Sequence, residues 1–397
     1  MPGTEPALSI LALNAGSSSL KFGVYRVDGS RTDRLLSGEA ESIGETTSAI
    51  SARDAAGQTV LSESVSIPSQ RDALGRIGTC LADAKLPAPV AIGHRIVHGG
   101  PKLLQHCLLD DAVLRELEAA SAFAPLHTQW VLSAIRFAQD QFPGLPHVAC
   151  FDTSFHAGMP DVARVLPIAK ELQADGIHRY GFHGLSCESI VHQLANDLPS
   201  RMVIAHLGNG ASVTAVTHGQ SIDTSMGLTP TGGVIMGTRS GDLDPGVLVY
   251  LMREKHYDAA MLEELVDHRS GLLGVSGVGG DMRRLREAAP SNADARLAID
   301  MFCYSVRKQV AAMVAVLGGV DLVVFTGGIG ENDAEARAVI CGGLSGVGID
   351  LDDARNRSAT NPLNGPGSRC VVLVLPSQED EQIARHTWAL FPRSVSR

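Results

Sequence analysis

A turn of small residues follows an apolar segment near the middle of the chain, and it could bind phosphate. The sequence predicts a strand at Met202 to Leu207, a tight turn at Gly208-Asn209-Gly210 and a returning strand at Ala211 to Val216. Such a turn presents backbone N–H groups that bind phosphate oxygens without a charged side chain. Because an ordinary hairpin gives the same pattern, the turn predicts a phosphate site only together with other features.

The N-terminal segment repeats this arrangement of strand, small-residue turn and strand. A predicted strand at Leu8 to Leu13 leads into the hydroxyl-rich turn Asn14 to Ser19, and Leu20 to Val27 returns. Lys21 lies just past the turn, where its ammonium group could act as a point charge on phosphates. A solvated strand lysine is the alternative interpretation.

The two hairpins predict an internal duplication. Laying Ala12 over Ala205 places Ser19 over Ser212 and Leu20 over Val213. A repeat near the start of each half indicates two related halves that face each other across a cleft.

Three charged residues lie where strands or glycine turns could direct them at a ligand. Arg95 falls in a predicted strand, and its guanidinium offers two parallel donors to a carboxylate. Asp152 ends another predicted strand, a position typical of functional groups in α/β proteins. Arg239 lies in the glycine-rich segment Gly237 to Asp242, where glycines let the backbone close on a ligand, although a surface arginine is the alternative interpretation.

A second glycine-rich segment, Thr326 to Asn332, follows the predicted buried strand Asp321 to Phe325 and precedes a helix that begins at Ala334. Strand, glycine turn and helix in this order are typical of a nucleotide site. The chain lacks G-x-x-x-x-G-K-[ST], which excludes a P-loop kinase. A Rossmann dehydrogenase is disfavoured because no G-x-G-x-x-G lies between strand and helix with an acidic residue about twenty residues later.

Composition narrows the class of protein further. The chain has 397 residues, of which 19% are charged and 4% aromatic, as in a compact α/β enzyme of two or three domains. A net charge of −10 argues against nucleic-acid binding. Seven cysteines without a C-x-x-C pair predict reduced thiols in the cytoplasm. We expect no membrane contact, since the longest apolar helix candidate ends at Gly318-Gly319.

The elements that must position these residues follow from periodicity and from helix or strand breakers. Ser30 to Ser66 is expected to be a β-rich excursion, and Ser186 is expected to cap a helix. Further strands are predicted at 90–97, 146–151 and 371–375, and helices at 70–85, 111–122, 129–141, 186–198, 245–267, 294–317 and 383–390. The last helix is expected to fold back on the first domain.

Eight segments, in this order, resemble the motifs of the acetate kinase family: NAGSSSLKF, GHRIVHGG, FDTSFH, RYGFHG, HLGNGASV, MGTRSGDLDP, GLLGVSG and FTGGIGEN. The resemblance implies the duplicated actin-like ATPase fold (α/β, RNase H-like) of the sugar kinase, Hsc70 and actin superfamily, with two domains around a central cleft. The domains would be residues 1–152 with 381–397, and residues 153–380.

The resemblance also implies an activity and partners. The reaction would be the reversible, ATP-dependent phosphorylation of acetate to acetyl phosphate and ADP, by direct in-line phosphoryl transfer. The enzyme would use Mg²⁺, or Mn²⁺ in its place, with ATP as co-substrate. It would be a cytoplasmic homodimer.

Motif positions that match the family carry implied roles. Catalytic roles fall on Asp152, His183 and Arg239, and metal roles on Asn14 and Glu379. The acyl substrate would contact Arg95, Val97, Leu126, His127, Phe182 and Pro230. ATP would contact Ser17, Ser19, Lys21, His206, Leu207, Gly208, Asn209, Gly210, Asp281, Met282, Arg283, Gly328, Ile329, Gly330, Glu331 and Asn332.

Physical chemistry favours a different role for Asp152 from the acid or base that the resemblance implies. Acetate has a pKa close to that of a glutamate side chain, about 4.3, so it is already ionised at neutral pH. Since attack then needs no base, we expect Asp152 to orient magnesium-bound water.

Two departures from the family pattern leave the acyl substrate open. Thr128-Gln129 replaces the usual Asn-Pro, and Thr231-Gly232 replaces Leu-Glu. Propionate or another short-chain acid is therefore the alternative substrate. A non-catalytic ATP-binding protein of the Hsc70 or actin type is a further alternative, which Arg95 and the apolar pocket residues argue against.

Overall fold

The computed structural model describes residues 7–16, 18–29, 31–84, 86–123 and 125–392, and the side chains of residues 122–129 lie outside the description. Its contacts divide the chain into two units. Unit 1 comprises Met1–Ala157, Gly184–Ser189 and Gln378–Arg397, and unit 2 comprises Gly158–His183 and Ile190–Ser377. The domain boundaries given by the sequence stay a prediction.

The described residues form the following strands and helices. The strands are β1 (Leu8–Ala15), β2 (Leu20–Val27), β3 (Thr32–Glu41), β4 (Ser48–Asp54), β5 (Thr59–Val65), β6 (Ala91–Ile96), β7 (Cys107–Leu108), β8 (His147–Phe151), β9 (Arg201–Leu207), β10 (Ala211–Thr217), β11 (Gln220–Thr224), β12 (Leu322–Thr326) and β13 (Val371–Val374). The helices are α1 (Gln70–Asp83), α2 (Asp111–Ala119), α3 (Pro125–Gln141), α4 (Asp161–Arg164), α5 (Lys170–Ala174), α6 (Gly184–Gln193), α7 (Pro245–Glu254), α8 (Ala259–Glu263), α9 (Gly271–Ser276), α10 (Met282–Ala288), α11 (Ala293–Val316), α12 (Gly327–Asn332), α13 (Ala334–Cys341), α14 (Asp353–Ser358) and α15 (Glu379–Leu390). Among the described residues, no helix combines the length and apolar character needed to cross a membrane.

The sheet of unit 1 has the strand order β5-β4-β3-β2-β1-β6-β8-β7 within the described residues. β1 pairs antiparallel with β2 and parallel with β6, and β6 pairs parallel with β8. Side chains alternate between the two faces of a strand. Leu11 and Leu13 of β1 therefore join the core that includes Leu74 of α1, whereas Ile10 and Ala12 join the core that includes Ile383 of α15.

The sheet of unit 2 has the order β11-β10-β9-β12-β13 within the described residues. It repeats the order β3-β2-β1-β6-β8 of unit 1, and β9 pairs antiparallel with β10 and parallel with β12. The predicted duplication is therefore visible as strand order. The residue overlay was wrong, because Ser19 lies in a turn whereas Ser212 lies in β10 opposite His206.

The β-rich excursion before residue 66 is confirmed as β3, β4 and β5, and the C-terminal segment is confirmed to pack on the first sheet as α15. The long helix predicted for 245–267 was wrong. It is interrupted because His256 adopts a φ of 57° and Asp258 caps a new helix by accepting from the N–H of Met261. Ser186 was wrong as a cap, since α6 already begins at Gly184.

We predict that Gly93→Ala destabilises the protein. An added Cβ would clash with Thr387 Oγ1 and lie 2.5 Å from Ile383 Cγ2, so β6 could no longer approach α15 closely. Such overpacking costs about 1–3 kcal/mol, measurable as a lower urea midpoint. Gly75→Ala in α1 is the control, because its Cβ meets no described atom within 4 Å and alanine favours a helix. Equal midpoints for the two variants would contradict the prediction.

Candidate functional site

A buried ion pair lies where β6 and β8 run side by side in unit 1. Asp152 directly follows β8, and its backbone is fixed by donation from its N–H to the carbonyl of Ile96 (2.9 Å) and by acceptance from the N–H of Gly184 (2.8 Å). Arg95 of β6 donates from Nε (2.9 Å) and Nη2 (2.6 Å) to Asp152 Oδ2. The two side chains are 21% and 1% exposed, so water screens the pair weakly.

Burial dominates the protonation of this pair. It raises the pKa of Asp152 to about 6, with the carboxylates of Glu379 and Glu188 adding to the rise and Arg95 opposing it. For Arg95, burial alone would lower the pKa, but the carboxylates of Asp152 and Glu379 outweigh burial and raise it. The guanidinium is therefore charged at all accessible pH values, and Asp152 is the group that titrates.

Asn14 connects this pair to the first turn of α15. Its Nδ2 donates to Glu379 Oε2 (3.3 Å) and Asp380 Oδ1 (3.4 Å), and its Oδ1 accepts from Arg95 Nη1 (3.0 Å). The amide oxygen of Asn14 thus already has a donor, and its amide hydrogens orient carboxylates. Burial, and next the neighbouring Glu379, raise the pKa of Asp380 to about 6.

The chemistry of these oxygens suits a hard divalent cation, but they do not converge as a ready-made site: among the described residues, only His106, Glu188 and His386 bring three potential ligand atoms within 4.8 Å of one another. Asp152 Oδ1 is buried and has no hydrogen-bond partner among the described residues, while Glu379 and Asp380 add further carboxylate oxygens. Magnesium prefers oxygen ligands, and a cation here would relieve the repulsion between the carboxylates. The sequence analysis missed Asp380, although the run Glu379-Asp380-Glu381 is a visible acidic signal.

Three other predicted residues of unit 1 have described positions. Lys21 of β2 is exposed and lies opposite Asn14 of β1. The backbone oxygen of Ser19 accepts from the N–H of Gly16 (2.8 Å). Val97 is partly buried at the end of β6. Ser17 lies outside the described residues, as do the side chains of Leu126 and His127 in α3.

Two cationic or ionisable side chains lie against the glycine turn in unit 2. A Cβ on Gly210 would lie 3.1 Å from His183 Nε2 and 3.5 Å from Arg239 Nη1. His183 Nδ1 lies 2.9 Å from Ser212 Oγ, and its ring stacks on His206 with centroids 4.2 Å apart. The Ser212 hydroxyl, which the sequence analysis did not single out, therefore orients the imidazole. Its position in β10, opposite His206 of the predicted preceding strand β9, could have indicated this.

Arg239 is held in place by Pro230, one of the residues predicted to line the acyl pocket. Its Nη1 donates to the carbonyl of Pro230 (3.1 Å), and both Pro230 and Phe182 are buried. The segment before it closes on the glycine turn, because the N–H of Gly237 donates to the carbonyl of Asn209 (3.2 Å). The turn thus has two predicted site residues, His183 and Arg239, as direct neighbours.

The remaining nucleotide candidates adopt short helices. Gly328 to Asn332 lie in α12, so the predicted glycine turn is helical instead. Glu331 Oε1 accepts from the N–H groups of Gly327 (3.0 Å) and Ser377 (3.0 Å), which uses its carboxylate within the protein. Asp281 caps α10 and pairs with Arg283, whose hydrogen bonds lower the pKa of Asp281 to about 2.

The predicted site residues therefore fall into two groups, each described within its own unit. Unit 1 brings together Asn14, Arg95, Asp152 and Glu379. Unit 2 brings together His183, His206, Gly208 to Gly210, Pro230 and Arg239. The first group offers a guanidinium, an amide and two carboxylates. The second offers backbone N–H groups with imidazoles and a guanidinium.

Comparison with known proteins places these groups in context. The acetokinase family profile matches residues 9–385. The acetate kinase of Methylocella silvestris is 40% identical over 405 residues, which cover 98% of this chain and 99% of the relative. A solved propionate kinase from Francisella tularensis matches with a TM-score of 0.90 and 36% identity over 96% of this chain and 100% of that chain. The acetate kinase of Porphyromonas gingivalis matches with a TM-score of 0.85 and 34% identity over 97% and 100%. The predicted fold class is confirmed.

We predict that Arg95→Leu destabilises the protein in a pH-dependent way. Removal of the guanidinium leaves the buried Asp152 carboxylate uncompensated, at a cost of roughly 3 kcal/mol at pH 7.5. The pKa of folded Asp152 then lies even further above its unfolded value, so the folded state binds the proton more tightly. The deficit should shrink as the pH falls from 7.5 towards 5, as measured by urea denaturation.

Two variants control this experiment. Arg95→Leu combined with Asp152→Asn should show a smaller deficit with little pH dependence, since no carboxylate remains to be protonated. Arg136→Leu removes an exposed partner of Glu118 and should change the midpoint little. A deficit for Arg95→Leu that is the same at both pH values would refute the electrostatic account.

Proposed function

Because the chain belongs to the acetokinase family, we propose that it catalyses the reversible transfer of the γ-phosphoryl group of ATP to acetate, forming acetyl phosphate and ADP. Its class is that of a phosphotransferase with a carboxyl group as acceptor. The proposed binding of the acid substrate is supported by the hydrogen bonding of Arg95. Three of its five N–H groups bond to Asp152 and Asn14, and the other two suffice to hold a carboxylate.

The donor side of the reaction belongs to the glycine turn of unit 2. We assign the backbone of Gly208 to Gly210 to the phosphates of ATP, and His183 and Arg239 to the charge on the transferred phosphoryl group. The contacts of both side chains with Gly210 support this assignment. Such a transfer depends on positioning and electrostatics and requires no covalent intermediate.

Glu379, Asp380 and Asp152 are the residues that would hold magnesium, or manganese in its place, with Asn14 orienting two of them. When bound, the metal supplies positive charge that offsets the charge of the phosphates. Asp152 need not act as a base, because the acceptor carboxylate is already ionised at neutral pH. We propose that its buried Oδ1 orients a metal-bound water, which is supported by the absence of any other described partner for that atom.

Propionate is the second candidate acceptor. The similarity to a propionate kinase structure supports it, as does the altered pair Thr231-Gly232 beside Pro230. The Thr231 hydroxyl donates to Asp267 Oδ1 (2.5 Å), so it does not contribute an apolar wall. Acetate remains the first choice because the curated relatives carry that name.

We also propose that the protein acts as a cytoplasmic homodimer. Helix α7 has no buried residue in the described chain, and Val247, Val249, Tyr250 and Met252 are each at least 42% exposed. These side chains are spread around the helix, and exposed apolar surface of this extent is typical of a protein interface.

The seven cysteines are all free thiols, which supports a reducing compartment.

The first test compares acetate and propionate in a coupled ATP assay, with hydroxamate trapping of the acyl phosphate. We expect the higher kcat/KM with acetate. Arg95→Ala should raise the KM for the acid roughly 30-fold or more, because lost charge-assisted hydrogen bonds cost about 2 kcal/mol, while the KM for ATP changes little. Arg95→Lys keeps the charge but loses the planar fork, so its KM for the acid should lie between those of the wild type and of Arg95→Ala. Unchanged KM values for the acid would show that the carboxylate binds elsewhere.

The second test concerns Asp152→Asn. If Asp152 orients metal-bound water, the variant should lose activity at low magnesium and regain a large part of it when magnesium is raised. The measurement is a magnesium titration of kcat at saturating ATP and acetate. An unchanged apparent magnesium constant, with activity lost at every concentration, would instead support a role in proton transfer.

A further inference from the structure

Three ionisable side chains from distant parts of the sequence meet in unit 1, apart from Asp152, Glu379 and Asp380. Glu188 of α6 lies between His106, which precedes β7, and His386 of α15. Nε2 of His386 is 2.6 Å from Glu188 Oε2, and Nε2 of His106 is 3.5 Å from Oε1. The imidazole centroids are 3.8 Å apart, and none of the three side chains is more than 23% exposed. We call these residues the Glu188 cluster.

One hydrogen-bond direction assigns the proton of His106. The backbone N–H of Phe151 donates to Nδ1 of His106 (3.0 Å), so a neutral His106 ring must carry its hydrogen on Nε2, the atom that faces Glu188. The pKa of His106 is lowered by burial, with Glu188 opposing, which keeps this ring neutral near pH 7. Burial alone would raise the pKa of Glu188, but the two histidines outweigh it and lower it to about 2.

Two histidines and a glutamate also form a ligand set that zinc accepts, yet the cluster is unsuited to a metal. A metal on Nε2 of His106 would require the hydrogen to move to Nδ1. Nδ1–H would then face the N–H of Phe151, leaving two buried donors opposed. The cluster is therefore arranged to hold protons.

The cluster joins three segments that carry or contact the proposed metal ligands: the end of β8, helix α6 and helix α15. Its His106 holds the N–H of Phe151, the residue before Asp152. Glu188 lies on α6, whose first N–H, at Gly184, donates to the carbonyl of Asp152. His386 lies on α15, two turns after Glu379. Glu188 thus adds a second link between Asp152 and α15, beside the chain of hydrogen bonds through Arg95 and Asn14 to Glu379.

We propose that Glu188 is a positioning residue of the reaction, which acts through His106 and His386 to set the distance between Asp152 and the acidic first turn of α15. This inference rests on the proposed function, because it assigns Glu188 a role in holding the magnesium ligands. Neither histidine touches substrate or metal in this account.

Glu188→Gln tests the proposal, because it preserves shape while removing the charge that both imidazoles face. We expect kcat to fall roughly ten-fold or more and the apparent magnesium constant to rise, as is usual when partners of metal ligands are lost. The KM for ATP should change less than the apparent magnesium constant, since the glycine turn assigned to the phosphates lies in unit 2. Glu188→Asp, which keeps the charge, should recover part of the activity. A purely structural loss of folded enzyme would lower kcat without changing the magnesium constant, and would overturn the proposal.

Glu118→Gln is the matched control, since Glu118 pairs with Arg136 on the surface and should leave kcat and the magnesium constant unchanged. If Glu188→Gln fails to fold, His386→Gln should give the same change in the magnesium constant at smaller size. Wild-type enzyme that phosphorylates neither acid would refute the proposed function. Active wild-type enzyme with an unaffected Glu188→Gln variant would refute only the positioning role.

Two measurements do not depend on activity, one on the wild-type protein and one that compares it with Glu188→Gln. Nitrogen-15 NMR of the histidine side chains should show His106 as the neutral tautomer with its hydrogen on Nε2. A zinc titration of the metal-free protein should show no site that Glu188→Gln removes. A hydrogen on Nδ1 of His106, or one zinc per chain lost in Glu188→Gln, would overturn the proposal in favour of a metal site.

Discussion

The site in unit 1 depends on one constraint, the burial of a carboxylate whose charge must be compensated. Asp152 is nearly inaccessible, and a buried ion persists only when an opposite charge and hydrogen bonds surround it. Arg95 supplies the charge, and Asn14 then links Arg95 to Glu379. Each partner is fixed by the next, so the arrangement is rigid before any ligand arrives, which is what electrostatic catalysis requires.

The sequence predicted the parts of the fold that local pattern controls. Strand periodicity located β1, β2, β9 and β10, and glycines located the turns between them. The helix predicted across His256 failed because a positive φ at a non-glycine residue leaves no signal in periodicity. Ser186 failed as a cap because α6 begins at the residue that donates to Asp152, a tertiary contact that overrides capping preference.

Residue type suggested the candidate site from the sequence, whereas contacts between distant residues left no signal there, and the site assignments stay predictions. Arg95, Asp152 and Arg239 were identified from a guanidinium, a strand end and a glycine-rich setting. Glu331 was assigned to the nucleotide, yet its carboxylate accepts two backbone N–H groups, which no local pattern revealed. The Glu188 cluster was invisible because 82 and 198 residues separate Glu188 from its two partners.

The backbone at His183 has a consequence for how this protein can change. The residue before α6 adopts a φ of 59°, a left-handed conformation that costs a non-glycine residue about 1 kcal/mol or more. Glycine there would relieve the strain but would delete the imidazole beside Gly210. Under the proposed function, glycine at this position would therefore gain stability and lose activity.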